Sequence, residues 1–265
     1  MKEIIGQNKI VSQINQLTLD NLPKTLMLIG PDGSGKHLIA DTIAEKFELE
    51  VIELVEKVDP EDLIEYRQLS MPRLFIIDLG LFTERQQNQL LKFIEEPPTA
   101  SYIVLLTEST VGLLDTVLNR CTKWTLEPYS KEEIIAITHT VLRNDLVFEV
   151  VKAPGQLLNI SEKIIEQTIN LCDKIIKNID KAGYADALSL SGFINYKEDF
   201  DKPDFYFFFN VLELLAFKEF MKTQSDLSFT VYQITNEYKQ KLITKTISKE
   251  PFMLNFLTKL WKETR

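Results

Sequence analysis

The chain has 265 residues, 45% hydrophobic and 26% charged, with a net charge of -9. That length allows one large domain or two to three small ones. No apolar run reaches the ~18–20 residues of a membrane span, so insertion is excluded. Two cysteines, Cys121 and Cys172, cannot build a disulfide framework or a four-cysteine zinc site, which fits a reducing compartment. Met1 leads directly into Lys2-Glu3-Ile4-Ile5-Gly6 without an apolar h-region, so a cytoplasmic protein is expected. So acidic a chain is a poor binder of DNA by itself, because phosphate contacts need a local cationic excess. As one member of an assembly it could still meet DNA. Residues 1–128 hold most of the imbalance, with 12 basic against 20 acidic side chains. From Tyr238 to Arg265 the balance reverses, seven Lys/Arg against two Glu. A solvated helix face is the plain reading of that tail, and a partner- or DNA-facing surface the alternative.

The first half reads as alternating strands and helices. Thr25-Leu26-Met27-Leu28-Ile29 is a short apolar run stopped by Gly30, the pattern of a buried strand. His37 to Phe47 has helical spacing. Arg73 to Asp78 is a second buried strand, Thr83 to Glu95 a second helix ended by Glu96-Pro97-Pro98, and Tyr102 to Thr107 a third strand. Buried strands separated by helices predict a parallel sheet covered on both faces. Ser130-Lys131-Glu132-Glu133 is a capping box that opens a helix over Ile134–Leu142. Beyond it no strand pattern remains; Ser161–Ile179, Lys197–Thr223 and Val231–Ile247 read as helices. One boundary falls near Glu127-Pro128 and a softer one at 175–185, giving segments 1–128, 129–180 and 181–265. The run Phe205-Tyr206-Phe207-Phe208-Phe209 reads as packed core rather than a ligand cage.

Between the first strand and its helix lies Gly30-Pro31-Asp32-Gly33-Ser34-Gly35-Lys36-His37. The spacing G-x-x-x-x-G-K is that of a phosphate-binding loop. Glycines let the backbone curl so that several N–H groups converge on an anion. The following helix start adds partial positive charge, and a lysine ammonium reaches the outer phosphates. Position 37 departs from the pattern: a Ser or Thr hydroxyl would ligate Mg²⁺ there, and an imidazole is no hard oxygen ligand. Asp78 ends the second strand where an acidic residue would hold the metal through water. The next residue, where a carboxylate would polarise the attacking water, is Leu79. Nucleotide binding is compatible with this loop and is left open by the sequence, whereas hydrolysis by this chain is not expected.

The stretch from Leu74 to Asp78, followed by Thr83-Glu84-Arg85-Gln86-Gln87-Asn88-Gln89-Leu90-Leu91-Lys92-Phe93-Ile94-Glu95-Glu96-Pro97-Pro98, closely resembles bacterial clamp-loader subunits of the AAA+ superfamily. Ile5-Gly6-Gln7 looks like the family's "I-G-Q", which there precedes an adenine-contacting helix. Leu118-Asn119-Arg120-Cys121 looks like its "S-R-C" motif with Asn119 in place of the serine, and Thr107 falls where the family has a polar sensor. The matches run in order over residues 4–128. Within the family the resemblance is to the delta prime type, with tau/gamma next. It implies an AAA+ P-loop parallel-sheet module, a small helical lid and an all-helical C-terminal collar-like domain. It further implies a stator role in which Arg120 reaches a neighbour's ATP in trans. The implied partners are other clamp-loader subunits in a hetero-oligomeric ring, a sliding clamp, and primed DNA through the assembly, with no membrane.

Several departures accompany the resemblance. Family members commonly carry a four-cysteine zinc insertion between the phosphate loop and the acidic strand; Lys46 to Arg73 has no cysteine, so zinc is not expected. The family's second sensor is a lid arginine, and the nearest candidate in Ala153-Pro154-Gly155-Gln156 is the uncharged Gln156. The chain is also shorter than typical members, which implies a reduced collar. ATP is thus the cofactor the loop suits, with its binding open and magnesium disfavoured. His139 lacks companions for a metal site, Cys121 lacks a histidine base and reads as a packed thiol, and Trp124 and Trp261 read as core or interface anchors. Glu95-Glu96 reads as a structural helix terminus. Two rival functions stay in view: a tau/gamma-like motor that hydrolyses ATP itself, and a non-replicative AAA+ adaptor.

Overall fold

The computed structural model describes residues 4–54, 71–139, 145–158, 160–194, 205–244 and 248–265. They fall into two compact units, Met1–Thr140 with Lys152–Gln156, and Val141–Val151 with Leu157–Arg265. The capped helix after Ser130 and the turn at Pro154–Gln156 thus group with the sheet.

The first unit is built on a five-stranded sheet: β1 Thr25–Ile29, β2 Glu50–Leu54, β3 Arg73–Asp78, β4 Ser101–Thr107 and β5 Thr122–Thr125. Their spatial order is β2-β3-β4-β1-β5, and every neighbouring pair is parallel. The three central strands are those the apolar runs predicted. They are buried on both faces, with alternate residues feeding two separate cores. Leu26, Leu28, Leu74, Ile76, Val104 and Leu106 pack on one side against α1 (Asn8–Gln16) and α2 (Lys36–Phe47) through Ile10, Ile14, Ile39 and Ile43. Met27, Phe75, Ile77, Ile103 and Leu105 pack on the other with Leu90 and Phe93 of α3 (Glu84–Glu95) and Val117 of α4 (Asp115–Leu118). Trp124 is buried in the first of these cores.

The two flanking strands were not predicted. β2, Glu-Val-Ile-Glu-Leu, carries two glutamates, exposes Val51 and only half-buries Ile52 and Leu54, and β5 is four residues long with one buried side chain. Short, charged edges are how sheets avoid pairing with other chains, and they leave little hydrophobic signal. Ser130 and Glu133 form the predicted capping box of α5, Lys131–Thr138, which stops at His139 in a left-handed conformation. The expected continuation to Leu142 lies outside the described residues.

The second unit is helical: α6 Leu146–Val150, α7 Glu162–Asn178, α8 Tyr184–Ser189, α9 Phe205–Thr223, α10 Asp226–Thr244 and α11 Lys249–Glu263. α9 buries Phe205, Phe207, Phe208 and Phe209 while Tyr206 stays half exposed, so the aromatic run is core as read. Phe209 meets Phe256 of α11 with ring centroids 4.8 Å apart. α11 lies in the basic tail that was read as a solvated helix face, but it also buries Met253, Phe256, Leu257 and Leu260; Pro251 is tolerated there, in a first turn whose N–H has no helical partner. Trp261 donates its indole N–H to the Ala182 carbonyl at 2.9 Å. Several lysines of the basic tail are paired: Lys239 with Glu213, Lys241 and Lys259 with Glu237. The predicted starts and ends at 197–204 and 245–247 lie outside the described residues. Among those described, no helix is long and apolar enough to cross a membrane.

Candidate functional site

The carboxyl ends of β1, β4 and β3 lie side by side, since Ile29 is level with Thr107 and Leu106 with Asp78. The phosphate-type loop follows Ile29, so the sheet brings Gly30–Lys36, Thr107 and Asp78 to one edge. Ligands of open α/β sheets bind at such edges. Gly33 and Gly35 hold left-handed backbone, φ 73° and 87°, which is why glycine is required at both. Gly35 then caps α2.

Several polar groups of the loop are engaged by its own chain. Lys36, 8% exposed, donates its ammonium to the carbonyls of Gly30 at 2.7 Å and Pro31 at 2.9 Å. Burial holds its pKa below the usual lysine range, opposed by the carboxylates of Asp32, Glu108 and Asp78. The Gly33 N–H, of the kind a phosphate nest offers to an anion, donates to the Asp32 carboxylate at 2.9 Å. The Ser34 carbonyl accepts the Tyr129 hydroxyl at 2.8 Å, and the Gly33 carbonyl accepts the Gly155 N–H at 2.9 Å. The buried Ser34 hydroxyl has no protein partner. This curled backbone with a lysine at its base fits a phosphate group. It does not fit magnesium: His37 is exposed at the start of α2, where the hard oxygen ligand would be needed.

The residues at the positions that the resemblance connects with hydrolysis are engaged within the chain. The Asp78 carboxylate accepts the Gly80 N–H at 2.9 Å, capping the short turn Leu79–Leu81. Leu79 is 1% exposed and packs in the apolar cluster with Phe75, Ile77 and Phe93. The Thr107 hydroxyl donates to the Ser109 carbonyl at 2.7 Å, and Gln156 accepts the Lys152 N–H at 2.8 Å. Gln7 is buried and clamps the peptide of Glu127, donating to its carbonyl at 2.8 Å and accepting its N–H at 2.9 Å. Its amide is therefore committed to joining the N-terminal segment to the end of β5.

Arg120 stands apart from this loop, just past α4. Its guanidinium is exposed, donates to the Thr116 carbonyl at 2.8 Å and pairs with Glu95. Gln87, buried in α3, fixes the segment leading to it by donating to the Gly112 carbonyl at 3.2 Å and accepting the Leu114 N–H at 2.9 Å. Sequence reading missed Tyr129, the Gln87 clamp and the use of Glu95. These are pairings between residues 25 to 95 positions apart, and one chain's pattern carries no trace of them. Among the described residues no group of three or more His, Cys, Asp or Glu could hold a metal ion.

The sequence model of one protein family, described as "DNA polymerase III, delta subunit", matches residues 61–130. A "DNA polymerase III subunit gamma" of Buchnera aphidicola (subsp. Baizongia pistaciae) is 26% identical over 209 residues, covering 66% of this chain and 56% of that protein. A "DNA polymerase III subunit delta'" of Bacillus subtilis is 29% identical over 102 residues, covering 38% of this chain and 30% of that protein. A crystal structure of a gamma subunit-related protein from Thermotoga maritima superposes with TM-score 0.52 at 17% identity, covering 98% of this chain and all of that one. The chain spans between a third and just over half the length of the first curated relatives it matches. The parallel sheet with its phosphate-type loop, followed by helices, is an AAA+ fold. Within that class the matching family model and relatives are those of bacterial clamp-loader subunits of the DNA polymerase III type, which this chain resembles.

Two local tests follow from this geometry. A Cβ on Gly155 would lie 2.5 Å from the Gly33 Cα and 2.7 Å from its carbonyl oxygen. Gly155→Ala should therefore lower the urea midpoint by the equivalent of about 1–3 kcal/mol, and an unchanged midpoint would mean that the loop yields freely. The second concerns Cys121, whose thiol donates to the Val117 carbonyl at 3.1 Å and is pushed up to about 11 by burial, against the pull of Lys123. Alkylation by iodoacetamide at pH 8 should run roughly a hundredfold slower than for a free thiol. Full reactivity should return in urea; fast labelling of the native chain would contradict the packed-thiol reading.

Proposed function

We propose that this chain is a delta prime-like stator of a clamp loader, which helps open a sliding clamp and place it on primed DNA. Its own nucleotide chemistry is absent, and it donates Arg120 to ATP held by a neighbouring subunit. The observation that carries this reading is a contrast within one module. Position 79, where a hydrolase needs a carboxylate, is a leucine buried in the core, while the Arg120 guanidinium is exposed and oriented. A planar, always-charged guanidinium is the group suited to γ-phosphate charge developing in a transition state.

In this reading residues 1–128, 129–180 and 181–265 act as AAA+ module, lid and collar, and the protein works in the cytoplasm. ATP, if taken up, would be held by the Gly30–His37 loop, with Lys36 leaving the Gly30 and Pro31 carbonyls for the phosphates. Asp78 and Thr107 lie at the same edge of the sheet. Bound ATP would supply a phosphate charge for these groups to hold. Position 79 offers no base for water and position 37 no hydroxyl for magnesium, so the loop serves binding or shape, not turnover. The partners are the other clamp-loader subunits, the clamp, and DNA through the assembly.

The experiment is ATP binding and hydrolysis by the purified chain with and without magnesium. No turnover is expected in either condition. Robust magnesium-dependent turnover would overturn the stator reading in favour of a motor subunit.

A further inference from the structure

Glu95 is the last residue of α3, immediately before Glu96-Pro97-Pro98. A carboxylate at a helix C-terminus faces the negative end of the helix dipole, so it does not stabilise its own helix there. What it meets is the guanidinium of Arg120, 25 residues on in the sequence. Both side chains are partly open to solvent, Arg120 39% and Glu95 44% exposed. The same guanidinium donates from Nη1 to the Thr116 carbonyl at 2.8 Å, a carbonyl near the end of the short helix α4.

Gln87, eight residues before Glu95 on the same helix, grips Gly112 and Leu114. At 1.5 Å per residue the two contacts are about 12 Å apart along α3. One helix thus holds the segment bearing the arginine at its base and meets the arginine's head at its tip.

We infer that Glu95 is a positioning residue for Arg120, fixing the rotamer in which the guanidinium is presented to a neighbour's nucleotide. This rests on the finger reading proposed above. Arginine has five N–H donors in a rigid fork; Thr116 and Glu95 engage two, leaving three for phosphate oxygens. A single half-exposed carboxylate holds the side chain too weakly to withhold it from a polyphosphate of higher charge. It removes rotamer freedom beforehand, and misplacement of a catalytic group by about an ångström can cost on the order of a hundredfold in rate.

The test uses the full chain assembled with clamp-loader subunits of the same source, and reads steady-state hydrolysis of ATP with clamp and primed DNA present. Glu95→Ala should lower kcat about ten- to hundredfold with KM for ATP within about twofold. Glu95→Gln, which keeps an acceptor oxygen, should lose less. In an Arg120→Ala background Glu95→Ala should cause no further loss, because its effect passes through that side chain. The melting temperature of each variant chain should match the parent, since the pair is solvent-exposed.

If Arg120→Ala cripples the assembly while Glu95→Ala leaves kcat within twofold, the positioning role is wrong and the finger stands. Losses that multiply in the double variant would show that Glu95 acts independently, which also overturns the inference. If Arg120→Ala has no effect, the finger reading itself fails and this role with it.

Discussion

Arg120→Ala should lower the ATPase rate of the assembled clamp loader by about a thousandfold or more, while Lys36→Ala in the same chain should leave it within about twofold. The two substitutions remove one cation each from the same module, so net charge cannot account for a difference. Lys36 is folded onto the Gly30 and Pro31 carbonyls, beside Asp32, Glu108 and Asp78, in a module whose water-polarising position is a leucine. Removing it affects a loop that performs no turnover. Arg120 is exposed and held at the end of α3, with donors unspent. Arg120→Lys should recover little, because a point charge on a flexible stem does not reproduce the planar fork. The readout is the steady-state rate at saturating ATP, clamp and primed DNA. Equal large losses from Arg120→Ala and Lys36→Ala would end the stator assignment, since the loop would then be catalytic.

The parts of this arrangement that could be read from the sequence are those with dense local signal. β1, β3 and β4 are buried on both faces, so each is an unbroken apolar run, and the loop after β1 has its glycines at fixed offsets. The edges of the sheet are different: Glu50 and Glu53 of β2 face solvent, and β5 offers only Trp124 to the core. α11 lies in the tail read as a solvated helix face, and charge alone did not show that its other side buries Met253, Phe256, Leu257 and Leu260. At the site, residue types were legible but their engagements were not. His37 and Leu79 announced missing chemistry by identity alone. That Gln7 spends its amide on the Glu127 peptide, or that Tyr129 holds the Ser34 carbonyl, follows only from the folded chain. Glu95 is instructive. Its place before two prolines marks a helix end, and that is true; the cation it meets lies 25 residues on, past the next helix, which no local pattern encodes.

Restoring the missing carboxylate should fail, and at a large cost in stability. Leu79→Glu should yield no magnesium-dependent turnover and should destabilise the chain by about 2.5–6 kcal/mol, from lost burial of about 1.5–3 kcal/mol and an unpartnered buried polar group worth about 1–3 kcal/mol. The side chain at 79 is aimed into the core by the turn that Asp78 caps, among Phe75, Ile77, Leu90 and Phe93. A glutamate there would stay protonated to avoid burying its charge, so its folded pKa would rise above the ~4.3 of the unfolded chain. The sign of the pH dependence follows. Below about pH 4 both states hold the proton and only the packing and polar-burial losses remain. As pH rises through the unfolded value the unfolded state ionises first, and stability falls until the folded pKa is reached, then levels off. Urea unfolding at pH 5 and pH 8 should therefore show the variant weaker at the higher pH, relative to the parent. A variant as stable as the parent and active with magnesium would mean that residue 79 can swing out to the sheet edge. The buried leucine would then be a recent loss on a working site, not part of a core that has closed over it.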